Sequence, residues 1–446
     1  MRGDVNYIYR VEEFLYRVDY EGYQPDENEI KSIGELLGQP TKKLDVVKQR
    51  IRDVFTKYIV KRCVDIDRKS ICLYTLNPRT PFRPYRINMH ATGTIILFEE
   101  DKPVKLLAFP MNKALSYNKS PGLDPSEYGD VIPIEVTKRV DGWQLTAYFN
   151  PLMNRWVFAT RYVLHNMYFE RGKLVIEDFD SIANPYVYIA TKIAEEMNLF
   201  DKLRGFEEWT FTFVLEGPEP AITKPPYPLG SDYRNYRLYL LFARNPQGTL
   251  YTWTKSRDIL RNLDIPPIVE KKKLSELYEE IRRDLTTRSY IAYIDTEDPV
   301  NPLLAELESE LYPDAMNVKY LYDAKSAALL VFENAEKKLI EIVDKQAREQ
   351  IEKLSQIIKE MLNTLNTYLD RDIDRIAKEL SKNLREYGIN ITWGEIKKSL
   401  QQKNITRIAK KITSLYLENK SLLTPIDQEL KQLLEKIKIP TNNSKQ

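Results

Sequence analysis

The hydrophobic positions change rhythm twice along the chain. Up to about Arg86, NEIKSIGELLG and DVVKQRIRDVFTKYIVKR place apolar residues three and four apart, which predicts helices. ICLYTLNPRTPFRPYR then breaks on Pro78, Pro81 and Pro84, which predicts a turn-rich connection. From Ile87 to Phe332, β-branched and aromatic runs dominate. TGTIILFEEDKPVKLLAFP and QLTAYFNPLMNRWVFAT read as hairpins, the second turning at Asn150-Pro151. EWTFTFVLEGP and RLYLLFAR read as further strands, and NPYVYIATKIAEEMNLFDKLRG as a helix before them.

From Glu333 onward proline and glycine are scarce. Ile340, Val343, Ala347, Ile351, Leu354, Ile358, Met361, Leu365 and Tyr368 follow steps of three and four, the stripe of a long helix with one buried seam. The register shifts at Leu369 and Ile373, which favours a bundle over a coiled coil. Gly388 ends this stretch, and Thr392 with Glu395 predicts a capping box for the next helix. The expected class is α+β: a small α/β region over 1–86, a domain of antiparallel sheets with flanking helices over 87–332, and an all-helical domain over 333–446.

Composition narrows the chemistry. The 446 residues are 43% hydrophobic and 30% charged, the balance of a folded chain. Lys+Arg 67 against Asp+Glu 65 leaves +2, so any site for a polyanion is a local patch. Two histidines, His90 and His165, offer little for metal binding and read as structural. Cys63 and Cys72 flank a charged turn; cross-strand placement suits them, and the expectation is free core thiols in a reducing compartment. No apolar run approaches the roughly 20 residues that span a bilayer, and the start does not look like a signal peptide, so a cytoplasmic location and no membrane partner are expected. Plentiful Lys, Glu and Ile lean towards a thermophile. The acidic run EDPVNPLLAELESE reads as a solvated loop and helix face, not a metal site.

Several motifs in the middle segment recur in a known order. TGTIILFEEDKPVKLLAFPMNKALSYNKSP resembles an opening hairpin running into an Arg-Pro-Met-x-Lys-Phe-Phe-Asn segment. EVTKRVDGWQLTAYF resembles Lys-x-Asp-Gly followed by a strand, and VFATRYV a Thr/Ser-Arg/Lys-Gly turn. WTFTFVLEGPEPAI resembles Phe-x-Phe-Glu-x-Val-x-Pro, RSYIAYI a Glu-Gly-Tyr-Val-Val strand, and NVKYLY a final Lys-x-Lys strand. Together these resemble the ATP-dependent RNA ligases of the T-even phage tRNA-repair type, covalent nucleotidyltransferases. The resemblance implies a nucleotidyltransferase fold, ATP and Mg²⁺ as cofactors, and RNA ends, tRNA included, as partners. It implies a lysine amine that attacks the α-phosphate of ATP, after which AMP passes to an RNA 5′-phosphate and a 3′-hydroxyl displaces it.

The residues depart from that chemistry at the positions that carry it. Arg139 stands where the lysine belongs, two before Asp141, and arginine keeps its proton. Lys138 is adjacent, but a one-residue slip in an extended segment points it to the opposite face unless a bulge returns it. Val214 holds the place of a glutamate that Glu216, on the same strand face, would partly replace. Arg288 reverses the charge of a metal-side carboxylate, Asn317 replaces the first lysine of the last motif while Lys319 remains, and Thr92 replaces an arginine before Gly93.

Asp141, Gly142, Thr160, Arg161, Lys319 and Lys113 are retained. Lys113, Arg139, Gly142, Arg161, Arg288 and Lys319 are therefore expected to bind nucleotide or phosphate, with Trp143 the stacking candidate. The plain alternative is solvated surface charge on a decayed cleft. Three functions are open: a degenerate ligase-like protein binding nucleotide or RNA ends; an active ligase using Lys138, Asp141 and Glu216; or a scaffold whose C-terminal helices recruit a protein partner.

Overall fold

The computed structural model describes residues 3–164, 167–170, 173–176, 185–218 and 233–439, which leaves His165 outside. The chain forms two compact units. The first is Met1–Ile281 with Ser289–Glu308; the second is Arg282–Arg288 with Ser309–Gln446. The architecture is α+β with antiparallel sheets and a helical C-terminal region. No helix among the described residues is long and apolar enough to cross a membrane.

The first unit opens with α1 (Tyr7–Asp19), α2 (Glu27–Leu36) and α3 (Leu44–Lys57), followed by β1 (Ile59–Ile66) and β2 (Lys69–Leu76). The expected helix through YIVKR stops at Lys57, because the β-branched Ile59 and Val60 start a strand that pairs antiparallel with β2. After the proline-rich loop and the short α4 (Arg86–Met89) come β3 (Thr92–Glu99) and β4 (Lys102–Ala108). Their tight turn places Glu100 and Asp101 at φ +49° and +67°, which suits a two-residue hairpin. One antiparallel sheet, β1-β2-β3-β4, thus crosses the expected boundary at residue 86. Strand alternation feeds two cores: Cys72, Tyr74 and Ile96 face Val11, Phe14 and Ile51, whereas Ile71, Leu73 and Ile95 face Tyr148 and Val157.

Cys63 and Cys72 lie directly opposite on β1 and β2 and form a disulfide, not the free thiols expected from sequence. Cross-strand pairing brings the two sulfurs together. A bonded pair is what an oxidising compartment or a hyperthermophile's cytosol sustains.

The chain continues through β5 (Leu115–Ser116), α5 (Pro125–Tyr128), β6 (Glu135–Lys138), β7 (Trp143–Asn150), β8 (Arg155–Thr160), and the small hairpin β9 (Met167–Glu170) and β10 (Lys173–Ile176). Next come α6 (Pro185–Glu196), α7 (Leu199–Lys202), β11 (Thr210–Glu216), β12 (Arg237–Arg244), α8 (Trp253–Ile259), β13 (Ile268–Val269), α9 (Leu274–Ile281), β14 (Ser289–Ile294) and β15 (Leu303–Glu308). They build two further sheets, β12-β11-β7-β8 and β13-β6-β14-β15-β5. Phe242, Trp253, Tyr293 and Leu304 pack together between them.

The acidic run expected to be a loop and helix face contains β15, Leu303–Glu308, at its centre. Its alternation buries Leu304 and Glu306 on one face and Ala305 and Leu307 on the other.

The second unit is helical: α10 (Tyr312–Leu321), α11 (Ala324–Phe332), α12 (Glu336–Ile342), α13 (Lys345–Asn366), α14 (Ile373–Arg385), α15 (Trp393–Gln401), α16 (Ile405–Tyr416) and α17 (Asp427–Ile437). NVKYLY is helix, not the expected strand, and helices already begin at Tyr312. The stripe from Ile340 to Tyr368 is buried as expected, but in two helices. Asp344, whose side chain accepts from the Ala347 N–H, restarts the chain as the N-cap of α13. Thr392 and Glu395 form the predicted capping box, and Gly388 takes φ +74° after α14. The seams share one core, so the helices are a bundle.

Candidate functional site

A cavity of about 160 Å³ lies within the first unit, between the sheet of β7, β11 and β12 and the sheet of β6, β14 and β15. Trp253, Phe242, Leu241 and Ile291 give it an apolar wall, while Lys113, Arg139, Arg161 and Glu306 give it its charge.

Strand register decides which of two neighbouring cations matters. Val136 is buried in the core behind the sheet, so Thr137 and Arg139 turn towards the cavity. Lys138 pairs with Tyr290, which packs on the face behind the sheet, and no bulge interrupts this pairing. Lys138 reaches the cavity rim, is exposed, and its N–H is held by the Pro267 carbonyl at 2.8 Å. The register pairs Lys138 with a residue packed behind the sheet, while Thr137 and Arg139 alternate with it towards the cavity.

Arg139 forms an ion pair with Glu306, which also accepts from Ser289 Oγ at 3.0 Å. Burial alone would push the Glu306 carboxyl up, but Arg139, Lys113 and the Ser289 hydroxyl outweigh it and hold the group below its ordinary value. Lys113 arrives from the loop after β4. Its N–H is fixed by the Met89 carbonyl at 2.9 Å, and its Nζ donates to Ala114 O at 2.7 Å. Burial pulls the Lys113 amine below its usual range; Glu306 opposes this and the neighbouring Arg161 and Arg139 add to it.

Arg161 follows β8, where Thr160 Oγ1 accepts from the Val163 and Tyr162 N–H groups and shapes the turn. The Arg161 Nε is buried without a hydrogen-bond partner, and burial lowers the guanidinium's affinity for its proton. Gly93, at φ +113°, lets β3 pass beside this residue in a conformation L side chains rarely adopt. Gly142 acts by closeness instead. A Cβ there would lie 2.2 Å from the Leu215 carbonyl oxygen, so only glycine permits this approach of β7 to β11.

Other expected residues are placed elsewhere. Val214 lines the cavity, but Glu216 does not; it accepts from Tyr239 at 3.2 Å. Trp143 points away from Gly142 and Gln144 and stacks on Tyr186 with ring centroids 4.3 Å apart, so it is not available to a ligand in the cavity. Asp141 is not among the lining residues, though its charge contributes to the field on Arg139. The lining residues all belong to the first unit, whereas Arg288 and Lys319 belong to the second, Lys319 on α10 with its amine 5.3 Å from the Tyr320 ring centre.

His90 is structural, as expected: buried, stacked on Tyr7, bonded to Asn301 at 2.6 Å, and driven down to about 3 by burial. Glu306 was missed, although the two-residue period of Leu304, Glu306 and Glu308 signals a strand face.

The donor set does not fit Mg²⁺. Among the described residues, Glu306 is the one carboxylate lining the cavity and is committed to Arg139, while a hard divalent ion wants several oxygen ligands. Among the described residues no three His, Cys, Asp or Glu side chains gather into a metal site.

No family model and no curated protein matches the chain. Among solved structures, it is similar to forms 1 and 2 of an archaeal ATP-dependent RNA ligase. Identities are 13% and 12%, with 76% and 75% of this chain and 82% of each of those chains covered, at TM-scores of 0.40 and 0.41. It is also similar to a Naegleria gruberi RNA ligase variant with ATP and Mn, at 11% identity, covering 58% of this chain and 98% of that one, with a TM-score of 0.31. These are distant likenesses to ATP-dependent RNA ligases.

Proposed function

We propose that this is a ligase-like protein whose cleft binds phosphate-bearing nucleotides or RNA ends without forming a lysyl-adenylate. One observation carries the reading: Arg139 turns into the cavity at the position of the attacking lysine and is paired with Glu306. A guanidinium does not lose its proton to become a nucleophile, but it does bind phosphate. Lys113, Arg139 and Arg161 against Glu306 leave the cavity positive, and the apolar wall at Trp253 and Phe242 suits a flat base. The ligand's negative charge and its flat ring are each met by a part of the site, while the described residues bring no cluster of metal ligands to it.

The active-ligase reading through Lys138 has the wrong strand face against it. An RNA ligand, tRNA included, and a cytoplasmic RNA-repair setting accord with the motif resemblance. The T-even phage kinship belongs to the same reading.

Intact-mass measurement after incubation with ATP and Mg²⁺ tests this. The expected result is an unmodified chain that still binds ATP or 5′-phosphorylated RNA, with affinity lost in Arg161→Met and Lys113→Met. A covalent AMP adduct would overturn the proposal, and peptide mapping would tell Lys138 from Lys113, the lysine buried in the cavity.

A further inference from the structure

The proline-rich loop has its own cavity, of about 150 Å³, and Arg161 lines both this cavity and the one described above. Pro78, Pro81 and Pro84 fix φ at three places and withhold three N–H donors, so the loop depends on anchors. Asn77 supplies them: its N–H bonds Tyr58 O at 2.8 Å, and its Nδ2 bonds Lys57 O at 3.0 Å. Phe82, Asn88 and Tyr162 also line the space, with the Lys113 amine 5.9 Å from the Phe82 ring centre.

Asn88 is fully buried. Its Nδ2 donates to the Arg83 carbonyl at 2.9 Å, which fixes the amide's orientation, and its Oδ1 is left with no partner. A buried acceptor without a donor is costly, and a ligand N–H would relieve it. On the other side, the Arg161 Nε is a buried donor without an acceptor, which an anion would satisfy. An unpaired acceptor and aromatic rings thus line the second cavity, and an unpaired cationic donor belongs to the linings of both.

We propose that the second cavity is a nucleobase subsite for a 5′-phosphorylated single-stranded RNA end, with the phosphate on Arg161 and Lys113 and the base against Asn88 and Phe82. Every standard base carries an N–H on its pairing edge and a face that stacks, so the subsite tolerates sequence while requiring a base next to a phosphate. This rests on the phosphate-binding reading of the first cavity and adds what lies beyond the phosphate.

The test compares a short 5′-phosphorylated RNA, the same RNA with a 5′-hydroxyl, and inorganic pyrophosphate, each titrated into the full chain. The phosphorylated RNA is expected to bind more tightly than its 5′-hydroxyl form. Phe82→Ala, a change in a half-buried loop side chain, is expected to weaken the phosphorylated RNA by about tenfold while leaving pyrophosphate unchanged. Asn88→Ala should act in the same direction, whereas Arg161→Met should weaken both ligands. RNA affinity unchanged in both Phe82→Ala and Asn88→Ala, with Arg161→Met still effective, would overturn the base subsite alone. If neither RNA nor pyrophosphate binds the unaltered protein, the first cavity's assignment falls and takes the subsite with it.

Discussion

Arg244 and Arg161 are both buried cations of the first unit, and they are treated in opposite ways. Arg244 is fully enclosed and its donors are used. It bonds the carbonyls of Pro110, Gly248 and Val300 and the Asn112 Oδ1, and its guanidinium lies 3.7 Å from the Phe109 ring centre. Burial pulls it down to about 9, against the opposing charges of Tyr293 and Asp298. Arg161 has cavities on two sides, an unpaired Nε and no carboxylate partner among the described residues. A cation whose three guanidinium nitrogens all donate to the protein is scaffold. One held in place with a donor to spare is available for a ligand.

Substitution should separate the two most sharply. Arg244→Met removes the donor to the Pro110 and Gly248 carbonyls and to Asn112 Oδ1, and urea unfolding should show a loss of about 3 kcal/mol or more. Arg161→Met should change stability by no more than about 1 kcal/mol, because no internal partner is orphaned, while phosphate binding is lost. Equal stability losses in the two variants would dissolve the distinction.

Acid extends the comparison to His90, which like Arg244 is fully enclosed. Its pKa is depressed from 6.5 to about 3, so the unfolded chain binds the extra proton between those values. The contribution is complete above pH 6.5 and is lost as pH falls towards 3, at a slope near 1.4 kcal/mol per pH unit. Glu306, held below its ordinary value, works in the same direction at lower pH, where its pairing with Arg139 is lost on protonation. Urea midpoints at pH 7, 6, 5 and 4 should therefore decline steadily; a flat profile above pH 5 would mean that His90 is not enclosed.

Glu306→Gln addresses the intermediate case, a paired cation that is one-third exposed. Stability should fall by about 2 kcal/mol, below the usual cost for a fully buried pair, and pyrophosphate affinity should rise as Arg139 is released. The smallest effect is expected at Lys138→Ala, within about 0.5 kcal/mol in stability and with no change in ligand affinity. A clear loss of binding there would mean that Lys138 contacts the ligand from the cavity rim.

The elements were readable wherever local pattern determines them. The β3–β4 hairpin, the Thr392 capping box and the helical seams rest on turn residues, caps and periodicity within a few positions. NVKYLY was misread because its composition suits either state, and the Pro313 that starts α10 counts for more than the motif likeness. At the site, two-residue alternation in the sequence is what separates the expected directions of Arg139 and Lys138. Glu306 was not legible in this way, because its role depends on β15 lying beside β14, a long-range pairing that no short motif announces. Arg288 and Lys319 were grouped with the cleft by motif order, yet the fold assigns them to the other unit.

That other unit also takes the seven residues Arg282–Arg288 from the middle of the chain, before β14 and β15 return to the first. During synthesis, a chain that has emerged only as far as Ile281 carries β6 with β13 alone beside it, and Arg139 without Glu306. The five-stranded sheet closes only when Glu308 has left the ribosome. The cavity is therefore among the last parts of the first unit to mature, and a product ending near Ile281 would present an open strand edge and an uncompensated arginine to the quality-control proteases of the cell.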